Sequence, residues 1–158
     1  MRAAAEAQAA TLQLFIDAWR RWNAEETISL FATSENFRQV TMPFQMNMPE
    51  RTRSEVEQTL PFLVRAVSNY ELQIHRVIHD QQKGEAAIYA LSKGNTPFGP
   101  WHMEYAVFLT FTGSGDKIAR IEEMLDSNHA QWFGPHLRKW IQSQTGTGAP
   151  GQNTGVDL

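Results

Sequence analysis

The amino-acid sequence predicts an α+β fold: a curved antiparallel sheet wrapped over N-terminal helices, with a C-terminal helix. Two observations carry the α+β prediction. Apolar residues recur at steps of three and four before residue 67 and after residue 127, and at steps of two from Tyr70 to Leu125. The chain has 158 residues, enough for one core, so helices and sheet must share it.

Leu12, Phe15, Ile16, Trp19 and Trp22 form one apolar stripe and predict a helix over 8–22. Asn23 followed by Glu26 reads as an N-cap with its capping-box partner, opening a short helix through Ile28, Leu30 and Phe31. Residues 37–42, FRQVTM, alternate as a strand does, and Pro43 and Pro49 bracket an extended piece. Ser54 and Glu57 read as a second capping box, and Pro61 should kink or split the helix that follows. YELQIHRVIHD, EAAIYALSK, WHMEYAVFLTFT and KIARIEEML then read as four strands, separated by glycine-containing breaks. That is an antiparallel meander. Asp126, Ser127 or Asn128 caps a last helix. We expect one domain over 1–142 and a disordered tail over 143–158, rich in Gly, Thr, Gln and Pro.

Composition excludes several functions. A net charge of −3 with scattered basic residues argues against nucleic acid as a partner. No cysteine means no disulfide, no thiolate zinc site and no Cys nucleophile. No apolar run is long enough to span a bilayer and no secretory leader is visible, so a cytoplasmic protein without a membrane partner is expected. Five Trp, nine Phe and three Tyr suit either a well-filled core or an apolar cavity for a flat ligand.

The segments FIDAWRRWNAEETISLFA, FRQVTMP, MPERTRSEVEQ, SNYELQIHRVIHD, KGNTPFGPW, EYAVFLTF and IARIEEMLDS, in this order, resemble the NTF2-like superfamily. Within it they resemble the small SnoaL-like proteins of fungal secondary metabolism, over roughly residues 10–135. The resemblance implies a cone-shaped pocket, no cofactor and no metal. It also implies a small hydrophobic substrate, a homodimer through the outer sheet face at Ala106 and Phe108, and cyclase, dehydratase or isomerase chemistry. A semipinacolase type within the family is similar in using an arginine on an early strand and a glutamate on the last one. Arg38 and Glu123 match those positions, and Tyr105 matches a pocket tyrosine. Where that type has a second tyrosine four residues earlier, Trp101 stands here.

Strand periodicity gives an independent reading. Ala119, Ile121, Glu123 and Leu125 share a face that is apolar except for Glu123, whereas Glu122 lies on a mixed, wetter face. Trp101, Met103, Tyr105, Val107, Leu109 and Phe111 share another apolar face, with one hydroxyl. Arg38, lying with Val40 and Met42, would need an acidic partner, and Glu123 is the natural one. Glu123 as proton-transfer group with Arg38 and Tyr105 as donors suits an acid–base rearrangement without a redox step. The bland alternative is a buried Arg38–Glu123 ion pair beside a core tyrosine. Trp19, Trp22, Met42, Phe44, Met46, Trp101, Met103 and Ile121 are expected as substrate-binding wall. A dehydratase centre on His75, His79 or His102 with Asp126 or Asp17 is the competing enzyme, and a ligand-binding or scaffold module the non-catalytic alternative. His129 and His136, without a third ligand, do not suggest a metal site.

Overall fold

A computed structural model describes residues 2–33 and 35–146. The elements run α1 (Arg2–Arg20), α2 (Ala24–Ser29), β1 (Arg38–Met42), a 3-10 turn (Phe44–Met46), α3 (Arg53–Ala66), β2 (Ser68–Asp80), β3 (Glu85–Thr96), β4 (Gly99–Phe111), β5 (Ile118–Leu125) and α4 (Ser127–Thr145). The sheet order is β1-β5-β4-β3-β2. The meander is present as expected, and β1 joins its far edge parallel to β5. Helices on one side of this curved, open sheet give the expected α+β architecture.

The stripe of α1 buries Leu12, Phe15, Ile16 and Trp19 against the inner sheet face. The helix starts at Arg2 rather than near residue 8, because its first turns are rich in alanine, the strongest helix former. Asn23 caps α2 by accepting from the Glu26 backbone N–H, but the Glu26 carboxylate pairs with Arg21 instead of completing a box. The piece after Pro43 is a 3-10 turn, not an extended segment, and Asn47 closes it in the left-handed region (φ 51°), which asparagine tolerates.

The capping box of α3 is Thr52 with Glu55, not Ser54 with Glu57. Both pairs fit the pattern, and the backbone decides. Gln39 and Arg51 exchange two N–H···O bonds of 2.9 Å, which hold the chain extended up to Thr52. Glu57 pairs with Arg53 instead. The helix continues through Pro61, since Leu60 and Leu63 on either side pack against the core.

Burial alternates without a break on β4, where Trp101, Met103, Tyr105, Val107, Leu109 and Phe111 are all buried. Register shifts interrupt the alternation at three places, the first between Ser68 and Glu71 at the start of β2. A second inserts His75 between Ile74 and Arg76 on β2, and a third shifts register at Phe111 so that Ile118 turns inward. Asp126 caps α4, accepting from the N–H groups of Asn128 and His129. That helix runs on through 143–145, where a disordered tail was expected, and ends at Gly146 with φ 66°. The rest of that tail, from residue 147, lies outside the described residues. No helix among the described residues is long and apolar enough to cross a membrane.

Candidate active site

The inner face of β4 and β5 places a carboxyl and a phenol beside each other. In the antiparallel register Val107 faces Glu123 and Tyr105 faces Leu125, so Tyr105 and Glu123 are diagonal neighbours on one face. Such pairs lie about 7–8 Å apart, a span that a ring carrying one or two oxygens can bridge. The bulge at Phe111 precedes Ile121, and from Ile121 onward the strand is regular. Glu123 therefore faces inward, while Glu122 pairs across the outer face with Phe108 and forms an ion pair with Arg120.

Glu123 takes a hydrogen bond from Gln39 Nε2 at 3.2 Å. Gln39 Oε1 is buried and has no hydrogen-bond partner. Burial raises the Glu123 carboxyl above its ordinary range, opposed by the Arg51 guanidinium and the Gln39 bond. Arg51 is positioned by its backbone pairing with Gln39 and by donating from Nη1 to Thr59 Oγ1 at 3.2 Å.

Arg38 does not fill the role expected of it. The parallel register puts Arg38 opposite Arg120 and Thr41 opposite Glu123, so Gln39 and Thr41 share the face of Glu123. The Arg38 guanidinium donates instead to the backbone carbonyls of Phe37 (2.6 Å) and Glu35 (3.4 Å). The expected Arg38–Glu123 pairing is thus replaced by Gln39 as hydrogen-bond donor and Arg51 as nearby charge.

Tyr105 belongs to a buried cluster of hydroxyls. Its oxygen lies 2.8 Å from Ser92 Oγ, which accepts from Trp101 Nε1 at 2.8 Å. Tyr70 joins them from β2, accepting from Trp19 Nε1 at 2.7 Å. The two indoles fill acceptor positions on Ser92 and Tyr70, leaving those hydroxyls free to donate. Burial first, then Tyr70 and Glu123, push the Tyr105 phenol well above its usual value, against the Ser92 bond. Burial pushes Tyr70 up to about 12, opposed by the bonds from Ser92, Tyr105 and Trp19. Both phenols are therefore neutral donors at physiological pH. Deleting the Ser92 hydroxyl would leave the buried Trp101 N–H unpaired, at a cost of about 1–3 kcal/mol.

The other candidates divide. Trp19, Trp101, Met103 and Ile121 are buried in the hydrophobic core, and Trp22 stacks on Tyr70 with ring centroids 3.7 Å apart. Phe44 is not wall: the 3-10 turn leaves it 70 % exposed. Met42 pairs with the exposed Met124 on the outer side. Met46 is half-buried on the turn. His75 and His79 do not share a face, because the bulge at His75 separates them. His75 lies exposed beside Tyr89, while His79 turns inward, bonds Gln8 at 3.1 Å and packs on Phe111. His102 is exposed on the outer face, and Asp17 pairs with Gln13 and Arg20 on the wet side of α1. Asp126 is a helix cap, and His136 bonds the Trp132 carbonyl. A dehydratase centre assembled from these histidines therefore loses its geometry. Gln39, Arg51, Tyr70 and Ser92 were not singled out from the sequence; of these, Tyr70 carried a signal, sharing its strand face with Leu72 and Ile74. Among the described residues no group of three or more His, Asp or Glu could hold a metal ion.

No protein-family model matches the chain. It is 52 % identical over 146 residues to a protein of Aspergillus aculeatus named monooxygenase AacuO, covering 92 % of this chain and 90 % of that one. It is 47 % identical over 156 residues to monooxygenase AgnL5 of Paecilomyces divaricatus, covering 99 % and 96 %. The fold matches the crystal structure of the BvnE pinacolase from Penicillium brevicompactum with a TM-score of 0.76 at 15 % identity, over 88 % of this chain and 96 % of that one.

Proposed function

Because the chain belongs to the family of small SnoaL-like, NTF2-fold fungal proteins that includes these Aspergillus and Paecilomyces relatives, we propose that it catalyses an acid–base rearrangement of a bulky, largely apolar natural-product intermediate. The reaction is an isomerisation or cyclisation of the semipinacol or carbinol-opening kind. One observation carries the reading: a carboxyl whose burial raises its proton affinity lies diagonally across the inner sheet face from the neutral phenol of Tyr105, which shares a buried hydroxyl cluster with that of Tyr70. Glu123 transfers the proton. Tyr105 and Tyr70 donate hydrogen bonds to the oxygen that gains charge, and Gln39 and Arg51 set the orientation and proton affinity of Glu123. Gln39 Oε1, buried and unpartnered, suits a substrate O–H or N–H.

The name borne by the relatives favours a second reading, in which the same Glu123 takes a proton from a CH2 beside a carbonyl, the enolate carbon adds O2 to give a hydroperoxide, and loss of that carbon's second hydrogen with cleavage of the O–O bond leaves a new C=O and releases water (CH2 + O2 → C=O + H2O). The two readings separate in one experiment. Extract from a strain lacking this gene, which accumulates the substrate, is incubated with the purified protein under argon and under 18O2. Rearrangement predicts a product of unchanged mass in both. Loss of turnover under argon with 18O in the product would overturn it in favour of oxygenation.

We further infer a homodimer through the outer sheet face. Ile78, Tyr89, Phe108 and Met124 are exposed there in adjacent register rows, around a depression of about 110 Å³. Charges at Arg76, Glu104 and Glu122 rim them. Phe108→Asp is expected to convert a dimer to a monomer in sedimentation velocity, and a wild-type protein that is monomeric at high concentration sinks the inference.

A further inference from the structure

Resting on the inner-face site just described, we propose that His129 is a further substrate-binding residue whose Nε2 accepts a hydrogen bond from a phenolic or enolic hydroxyl held beneath α4. The Asp126 N–H donates to the Glu104 carbonyl at 3.1 Å, so α4 begins beside β4 where β5 ends. His129 lies one turn into that helix. Its ring meets Trp101 edge-on, with centroids 5.2 Å apart at 87°, and stacks near Phe133 at 5.9 Å. Trp101 is the residue whose indole N–H reaches Ser92 and, through it, Tyr105. His129 is thus one side chain away from the hydroxyl cluster.

Its Nε2 is buried and has no hydrogen-bond partner. Among the described residues, this atom and Gln39 Oε1 are the two buried side-chain polar atoms left so. Leaving a buried polar atom unpaired costs stability, so each such atom calls for a partner, a bound ligand, water or ion among them. Burial lowers the His129 proton affinity, with Asp126 opposing and His102 adding to the shift, so the ring is neutral and one nitrogen is an acceptor. The surrounding walls are aromatic: Trp101, Trp132 and Phe133. That combination fits a hydroxyl on a flat ring.

The element that carries His129 is lightly held. Of the 19 residues of α4, Phe133 alone is buried, against seven in α1. Gly134 and Pro135 follow directly, and Pro135 removes a backbone donor from the helix.

The test uses 2-naphthol and its ether 2-methoxynaphthalene as probes, titrated by calorimetry into the full chain. Wild type is expected to bind the phenol about tenfold more tightly than the ether, roughly one hydrogen bond's worth. His129→Phe should keep the ether affinity and lose the preference, and His129→Gln should restore part of it. An unchanged preference in a folded His129→Phe protein overturns the role of His129 and leaves the inner-face site standing. So does equal binding of both probes to wild type. No binding of either probe overturns both. Should His129→Phe fail to fold, the histidine side-chain 15N signals decide: a His129 signal unmoved by 2-naphthol overturns the proposal.

Discussion

Glu123→Gln is expected to reduce turnover by a factor of about 10²–10⁴ while leaving the protein at least as stable as wild type at neutral pH. The two effects have opposite signs because the carboxyl is held against its preference. Burial raises its proton affinity in the folded state above the ordinary value of 4.5, and Arg51 and Gln39 only partly offset this. A carboxyl raised on folding adds stability that is fully present below the unfolded value. That stability is lost as pH rises through the folded one. Wild type should therefore lose stability from about pH 4.5 upward into the folded range, and the glutamine variant should not. The isostere also completes a bond. Its amide can donate to Gln39 Oε1, now buried without a partner, while still accepting from Gln39 Nε2. Melting temperatures from pH 4 to 8 check the sign. A lower melting point for Glu123→Gln at pH 7 would mean that Glu123 is a satisfied ion-pair partner, and undiminished turnover would remove it from the chemistry.

That Glu123 rather than Glu122 faces inward was legible because the strand period is two and β5 is regular where it matters. Tyr105 was legible for the same reason on β4, whose inner face is wholly apolar apart from one hydroxyl. Arg38 misled for a reason equally physical. On β1, the apolar residues Val40 and Met42 lie with Arg38, and apolar majority points such a face toward a core. But Val40 and Thr41 are both nearly sealed, so both sides of β1 are covered, and register alone decides which side meets Glu123. That register comes from a parallel pairing with a strand some eighty residues later, which no local pattern encodes. The side that lines the carboxyl is the polar one, Gln39 and Thr41. Bulges set the other limit. One inserted residue at His75 sends His75 and His79 to opposite faces, although their spacing promised a pair.

Gly115→Ala is expected to be the most damaging small change in the fold, lowering the melting temperature by about 5–15 °C through a loss of several kcal/mol. Gly115 sits in the β4–β5 turn at φ +81°, and a methyl group there would lie 2.4 Å from the Ala4 carbonyl and 2.9 Å from the Gln8 amide nitrogen. Those are backbone atoms of α1 and cannot swing aside, so the helix itself must retreat. It would take with it the 2.8 Å bond from Thr11 Oγ1 to the Gly115 carbonyl. The same helix presents Trp19 to Tyr70, so the hydroxyl cluster should loosen too, visible as lost near-ultraviolet dichroism from the buried indoles. Gly113→Ala, two residues away with nothing within 4 Å of its added carbon, is the control and should melt within about 2 °C of wild type. A Gly115→Ala protein that melts with that control would show that the turn does not hold α1. The hydroxyl cluster would then depend on the sheet alone.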